Sequence, residues 1–477
     1  MYPSGAEIAE YWKKVARKYR LYEVAKFEYE VKQANWEAEG GNWRFRIQGL
    51  KSGEMIEDEA EFFFNCMGQS NNWKWPDIPD REEFEGKMMH SAMWDETYDF
   101  NGQTVALIGS GSTAVQILPK IRPLAQHLDA YIRNQMWVSP RFGADYILAR
   151  NPELEERKFV LTDELRRRFI EDSQFYNEYR KGLETSFNSI HGFTLNNHPI
   201  QNMFREFMSH DMEAKLAKKP EIYSKLIPTF PAGCRRVTPG VGFLEALVED
   251  NVTFRSQEIK RFTEQGLQTV DGESHDYDAI ICATGYDCSF CPRFPVTGIN
   301  GVDLRDAFNE TPSTYFSVAV DAFPNMFLIG GPNSEVGTSH SMIVFEKVGD
   351  YAVKCVQKAQ FEHIKAMAPT RRAVSDFMTF VTTYFTNNRT VYGERCRTVY
   401  RNGKTEGPST ALWPGSVLHF IRTLQEPRWQ DYEYEYLNTE CMFGYLGDGW
   451  TDAEKNGGDV AYYLDEVEFP PIPLEDG

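Results

Sequence analysis

Long hydrophobic runs are largely absent from this sequence. The longest, such as Ala279 to Ala283 and Met326 to Ile329, fall far below the roughly 20 residues that span a bilayer, so no membrane span is expected and these runs read as buried strands. Cysteine is sparse as well. Eight are scattered over 477 residues, too thinly for a disulfide scaffold, which fits a reducing, cytoplasmic setting. Cys288-x-x-Cys291 is the one close pair; without a second ligand pair or a thioredoxin-like context it reads as two ordinary thiols, and no metal site is expected. Positive charge is in deficit, with 51 Lys plus Arg against 70 Asp plus Glu and a formal charge of -19. With no basic run to offset it, no nucleic-acid partner is expected. The first residues, Met1-Tyr-Pro-Ser-Gly-Ala-Glu7, have neither the basic nor the apolar region of a signal peptide, so secretion is not indicated. Low-complexity linkers and solenoid repeats are also lacking.

What is present is globular. An apolar fraction of 42% with a quarter of residues charged gives enough burial for two or three interlocked domains of α/β class. Ser4-Gly-Ala-Glu7 has the form of a capping box, and Ile8, Trp12, Val15 and Tyr19 follow at helical spacing, predicting an amphipathic helix. Short β-rich pieces between 24 and 67 suggest an antiparallel excursion. Phe62-Phe63-Phe64 is an unbroken apolar run, which predicts a strand covered on both faces. Residues 103–108 read as a second core strand, 112–121 as a helix and 130–133 as the next strand, a compact βαβ unit. The charged stretch from about 150 to 225 reads as a helical insertion, and strands resume at 252–254 and 279–282.

The βαβ unit carries Gly109-Ser110-Gly111-Ser112-Thr113-Ala114. In such a turn the first glycine permits the tight bend, the second clears space for a pyrophosphate, and the third small residue packs helix on strand. Ser112 and Thr113 open the helix, where free N–H groups and the helix dipole favour a phosphate. The following strand ends at Arg133, a cation where NAD-binding chains place a carboxylate, so NADP is the expected nucleotide.

Just upstream stands Phe84-x-Gly86-x-x-x-His90-x-x-x-Trp94-Asp95. With this stretch the chain resembles the type I Baeyer-Villiger monooxygenases, which use FAD and NADPH, and specifically their fungal secondary-metabolism members. Ile281-Cys-Ala-Thr-Gly-Tyr286, Gly331-Pro332-Asn333 and Gly233-Cys-Arg235-Arg236 extend the resemblance over nearly the whole chain. It implies a Rossmann-like fold with two dinucleotide-binding domains: an FAD-type domain from 1–92 and 275–477, and an NADP-binding domain from 93–274 carrying the helical insertion. It also implies insertion of one oxygen atom beside the carbonyl of a polyketide or terpenoid ketone, giving an ester or lactone. In that reading Arg236 stabilises the negative charge of the reaction, Arg235 meets the NADP phosphate, and His90 and Trp94 order the link between domains. Gly331, Pro332 and Asn333 form the flavin-side loop.

The chain departs from the family at one point. No second glycine-rich strand-turn-helix precedes residue 104, and Asn65-Cys-Met-Gly68 stands where Ala-Thr-Gly is usual. The first FAD-binding βαβ unit is therefore expected to be missing. Either the sequence is an incomplete gene product of a flavin monooxygenase, or the chain is a flavin-free member repurposed as a cyclase, isomerase or hydrolase. Trp413, Phe420, Met442 and Phe443 are aromatic and sulfur-bearing enough to line a large pocket, but core packing is the expected role.

Overall fold

A computed structural model describes residues 3–141, 143–150, 161–387 and 389–464. The capping box forms as expected: the Ser4 hydroxyl accepts from the Glu7 amide, the Glu7 carboxylate accepts from the Ser4 amide, and α1 spans Gly5–Lys18. No residue of α1 is buried, and Ile8, Trp12 and Tyr19 stay exposed.

The antiparallel excursion is a meander of β1 (Tyr29–Glu37), β2 (Asn42–Gly49) and β3 (Met55–Ala60), with Val296–Thr297 added parallel to β1. β4 (Phe63–Asn65) then pairs in parallel with Met326–Leu328. Its Phe63 ring packs on Trp43 and Phe45, whereas Phe64 is 40% exposed. Among the described residues the expected double coverage of this strand is thus one-sided: one face meets the meander, and the other keeps a single aromatic contact, to Phe327.

A five-stranded parallel sheet carries the Gly109–Ala114 turn, in the order Val252–Arg255, β7 (His127–Tyr131), β6 (Thr104–Ile108), Ala279–Cys282 and β5 (Lys87–His90). It takes in β5 and Ala279–Cys282, strands outside the expected 93–274 boundary. Ala279–Cys282 is fully buried, as an inner strand of a parallel sheet must be, and β5 closes the edge beside it. One face is covered by α2 (Ser112–Ile121) and by helices of the insertion, whose Met208, Met212, Ile222 and Leu226 share its core. A small antiparallel sheet of 259–262, 266–269 and 274–276 covers the other, burying Phe262 and Leu267 with Phe84.

The insertion is helical as expected, with α3 (Ala144–Arg150), α4 (Asp163–Glu171), α5 (Ser173–Asn188), α6 (Pro199–Lys215) and α7 (Pro220–Leu226). The C-terminal half packs helices Ser341–Phe361 and Arg371–Thr386 around Tyr351, Phe377, Trp413 and Phe420. Trp413 and Phe420 are therefore core residues, as expected. Met442 and Phe443 are half exposed instead, because the segment after 437 lies outside that core and contributes nothing to it.

Candidate functional site

The turn after β6 is shaped by what passes beside it. Gly109 has φ +133°, and a Cβ there would stand 2.3 Å from the carbonyl oxygen of Ala283, on the neighbouring strand's exit. Only glycine fits that crossing. At Gly111 a Cβ would meet no atom within 4 Å, so the space over the helix start is open, where a pyrophosphate would approach. Ala114 is fully buried and seats α2 on the sheet. Ser112 Oγ lies 2.9 Å from Thr238 Oγ1, which joins the helix start to the segment that follows the arginine doublet.

That doublet splits between two places. Arg235 donates to Ser110 Oγ at 3.3 Å and to the Gln135 carbonyl at 3.2 Å, which puts it on the glycine turn. Burial, and secondarily the nearby Arg397, holds its basicity below the usual arginine value. Arg236 points the other way. Its Nη1 donates to Glu335 Oε2 at 3.4 Å, and about half of its side chain is open to solvent. Arg133, the third expected cation, sits on the surface paired with Glu258 at 3.2 Å. It is brought neither to Ser110 nor to the doublet by any hydrogen bond among the described residues.

Glu335 belongs to the loop that leaves Met326–Leu328. Gly330 turns that loop at φ +81°. A Cβ on Gly331 would fall 2.8 Å from Leu328 Cβ and 2.9 Å from the Ser317 carbonyl, so its backbone is pressed against its own strand. Asn333 is fully buried, and its amide donates to the carbonyls of Ser409 (2.8 Å) and Leu412 (3.0 Å). It is a clamp between loops. Gly331 and Pro332 line a cavity that also takes in Asn65, Gly68, Gln69, Phe290 and Arg293.

This cavity opens at the carboxyl ends of β4 and Met326–Leu328, the end of a parallel pair where nucleotides bind in α/β sheets. Its lining offers amide side chains and glycine backbone, and Gln69 Oε1 is buried without a hydrogen-bond partner. Such a donor and acceptor set fits one side of a flavin dinucleotide.

The Phe84-to-Asp95 stretch ties elements together. Phe84 is buried, and Gly86 passes so close beneath it that a Cβ would meet the ring at 2.4 Å. His90, at the end of β5, is fully buried and stacks on Trp73 with ring centroids 4.6 Å apart. Its Nδ1 accepts from the Ala92 amide at 3.1 Å, which leaves the proton on Nε2. Burial lowers its pKa, so the ring is neutral. Trp94 stacks on Phe100 and is about one-third exposed. Asp95 accepts from the Thr97 amide and hydroxyl and from Lys87, which holds its carboxyl well below the usual range.

Sequence reasoning missed three features. Cys234 and Cys396 form a disulfide, although the cysteine count suggested free thiols throughout. The remaining six are free, Cys288 and Cys291 among them. The second feature is Glu335, a lone carboxylate in a loop. The third is the pair Tyr392 and Tyr400, both buried and electrostatically coupled to Arg236 and Glu335. A cysteine directly before an arginine doublet was the one available signal; the others have no local signature. No cluster of metal-ligating side chains occurs among the described residues, nor any helix long and apolar enough to cross a membrane.

No protein-family model matches the chain. It is 35% identical over 469 residues to the FAD-binding monooxygenase tazF of Aspergillus terreus, covering 97% of this chain and 81% of that protein. It is 27% identical to a Baeyer-Villiger monooxygenase of Pseudomonas aeruginosa, over 88% of this chain and 76% of the other. Among solved structures, cyclohexanone monooxygenase from Rhodococcus sp. Phi1 bound to NADP+ superposes with a TM-score of 0.73 at 23% identity, over 91% of this chain and 85% of that one.

Proposed function

This chain belongs to the FAD-binding monooxygenases, and from that premise we propose that it is an FAD- and NADPH-dependent Baeyer-Villiger enzyme acting on a polyketide or terpenoid ketone. The product is an ester or lactone with one oxygen atom inserted beside the carbonyl. The observation that carries this reading is the divergence of two consecutive arginines: Arg235 reaches the glycine turn, and Arg236 reaches the loop beyond the cavity at the ends of β4 and Met326–Leu328. One short segment thus spans both nucleotide positions.

In this reading Gly109, Gly111 and Ala114 seat the NADP pyrophosphate on the start of α2, where free N–H groups meet it. Ser110, Ser112 and Thr113 add hydroxyl donors, and Arg235 supplies the cation at the phosphate. Arg133, expected at the NADP 2'-phosphate, is paired with Glu258 on the surface and would have to leave that partner to take the role. Asn65, Gly68, Gln69, Gly331 and Pro332 hold the flavin, with Asn333 bracing their loop from behind. When bound, FAD reduced by NADPH supplies the oxygen-activating chemistry. Arg236 brings a positive charge to where negative charge develops. His90 and Trp94 keep the link between the two halves in register through Trp73 and Phe100. Six free thiols favour a cytoplasmic setting, and the Cys234–Cys396 disulfide counts against it.

The test is turnover of purified protein supplied with FAD and NADPH on a panel of polycyclic ketones. Oxygen uptake matched by a product one oxygen heavier is expected. Arg236→Ala is expected to abolish ester formation while NADPH oxidation stays measurable. Undiminished ester from that variant refutes the role given to Arg236, and conversion of substrate without oxygen uptake favours the flavin-free cyclase, isomerase or hydrolase.

A further inference from the structure

Arg236 is a long, flexible side chain whose charge is useful only in one direction, and the structure shows one group able to set that direction. Among the described residues its guanidinium has a single hydrogen-bond acceptor, Glu335 Oε2 at 3.4 Å. The two partners are unequally held. Arg236 has about 53% of its side chain accessible, whereas that of Glu335 is 15% accessible. The backbone of Glu335 is fixed on both sides, its N–H donating to the Ala411 carbonyl at 2.9 Å and its carbonyl accepting from the Trp413 amide at 2.7 Å. Trp413 is itself buried in the C-terminal core. The carboxylate is therefore the anchored member and the guanidinium the oriented one.

We propose that Glu335 is the positioning residue for Arg236, aiming its guanidinium from the wall formed by the 411–413 segment. This rests on the reading of Arg236 as the charge-stabilising group. The approach of the two chains is constrained elsewhere too. The Cys234–Cys396 disulfide ties the arginine segment to the loop that carries Tyr392 and Tyr400, so Arg236 is confined between Glu335 and two buried phenols. A half-buried carboxylate left without its cation is costly, and an arginine without an anchored acceptor samples many rotamers, so each partner needs the other.

Protonation of Glu335 removes the charge that holds the guanidinium. The titratable and charged groups facing it are Arg236, Cys288, Tyr392 and Tyr400. The tyrosines and the thiol stay protonated at neutral pH, because burial pushes all three up, Cys288 to about 11. Burial likewise raises the Glu335 carboxyl, against the opposing pull of Arg236. Aiming is thus lost on acidification, as pH falls through the raised value of the Glu335 carboxyl.

The pairing is tested without turnover by phenylglyoxal modification of the purified full chain, with the rate at Arg236 read by peptide mass spectrometry. Glu335→Gln is expected to speed modification about fivefold, while Glu335→Asp, which keeps the charge, stays near the wild-type rate. In turnover, Glu335→Gln is expected to lower ester formed per NADPH oxidised about tenfold. NADP+ affinity stays unchanged, and the acid limb of the coupling profile disappears. Equal modification rates in the wild type and both variants overturn the pairing, and an unaltered acid limb in Glu335→Gln overturns its role. If Glu335→Gln does not fold, the Asp variant decides alone: accelerated modification with lost coupling overturns the proposal. Full coupling in Arg236→Ala is a separate result, since it strikes the reading of Arg236 while leaving the phenylglyoxal comparison intact.

Discussion

At Gly109 a single hydrogen in place of a methyl group decides whether the glycine turn closes. Its Cβ would stand 2.3 Å from a backbone oxygen at φ +133°, so Gly109→Ala is expected to cost about 1–3 kcal/mol in urea unfolding. Gly111→Ala meets open space and is expected to keep wild-type stability while weakening NADP+ binding in a titration. Equal losses of stability in both contradict this division of roles. His90 makes a second prediction. Burial depresses its pKa from 6.5, so below about that pH the unfolded chain takes up a proton that the folded chain refuses. The stability from the neutral ring is fully present above that pH and is lost as pH falls through the lowered folded value. His191 and His419 are depressed by burial in the same sense; a smaller loss in His90→Phe than in the wild type, read by urea unfolding at several pH values, isolates the share of His90. The glycines were legible in the sequence because their spacing encodes a turn. Glu335 was not, since nothing in Gly331-Pro-Asn-Ser-Glu335 reveals which cation faces it.

Elements behave as their local patterns predict where burial is decided by neighbours in sequence. The α2 boundaries fall at Ser112 and Ile121, and the core strand at Ala279 and Cys282, both as read from the apolar pattern. β7 is less legible. It begins at His127, earlier than expected, because a carboxylate lies in its middle. Asp129 is 2% exposed and gathers Arg255, the Tyr277 hydroxyl and His127 around one buried charge. Asp129→Ala strands a guanidinium and a phenol inside the sheet and is expected to cost about 3–5 kcal/mol in urea unfolding. A loss below about 1 kcal/mol shows that water reaches the site. The disulfide is the other device that ties elements together across the sequence. Joining residues 162 apart, it is expected to contribute about 2–4 kcal/mol by restricting the unfolded chain. Cys396→Ser and wild type in reductant should then show the same lowered midpoint, and no shift in either argues against a formed bond.

Over the whole molecule, stability is uneven because burial is. The helix Ser341–Phe361 buries Val344, Val348, Tyr351 and Cys355, whereas α1 buries nothing. Amide hydrogen exchange is therefore expected to be slow through the first and near the unprotected rate in α1; comparable protection shows that α1 has a partner. An acidic net charge with no basic run argued against a nucleic-acid partner, and the Phe84–Asp95 and Gly109–Ala114 motifs identified the family, because each motif is local and its spacing is itself the physical requirement. Local pattern was enough to read the glycine turn, the arginine doublet and the helical insertion. Tertiary structure alone decided that the doublet splits between two loops, that Arg133 pairs with Glu258, that Cys234 meets Cys396 and that Glu335 stands over Arg236. Those contacts join residues about a hundred or more positions apart, and their pairing follows from how sheets and loops pack, which no local pattern encodes.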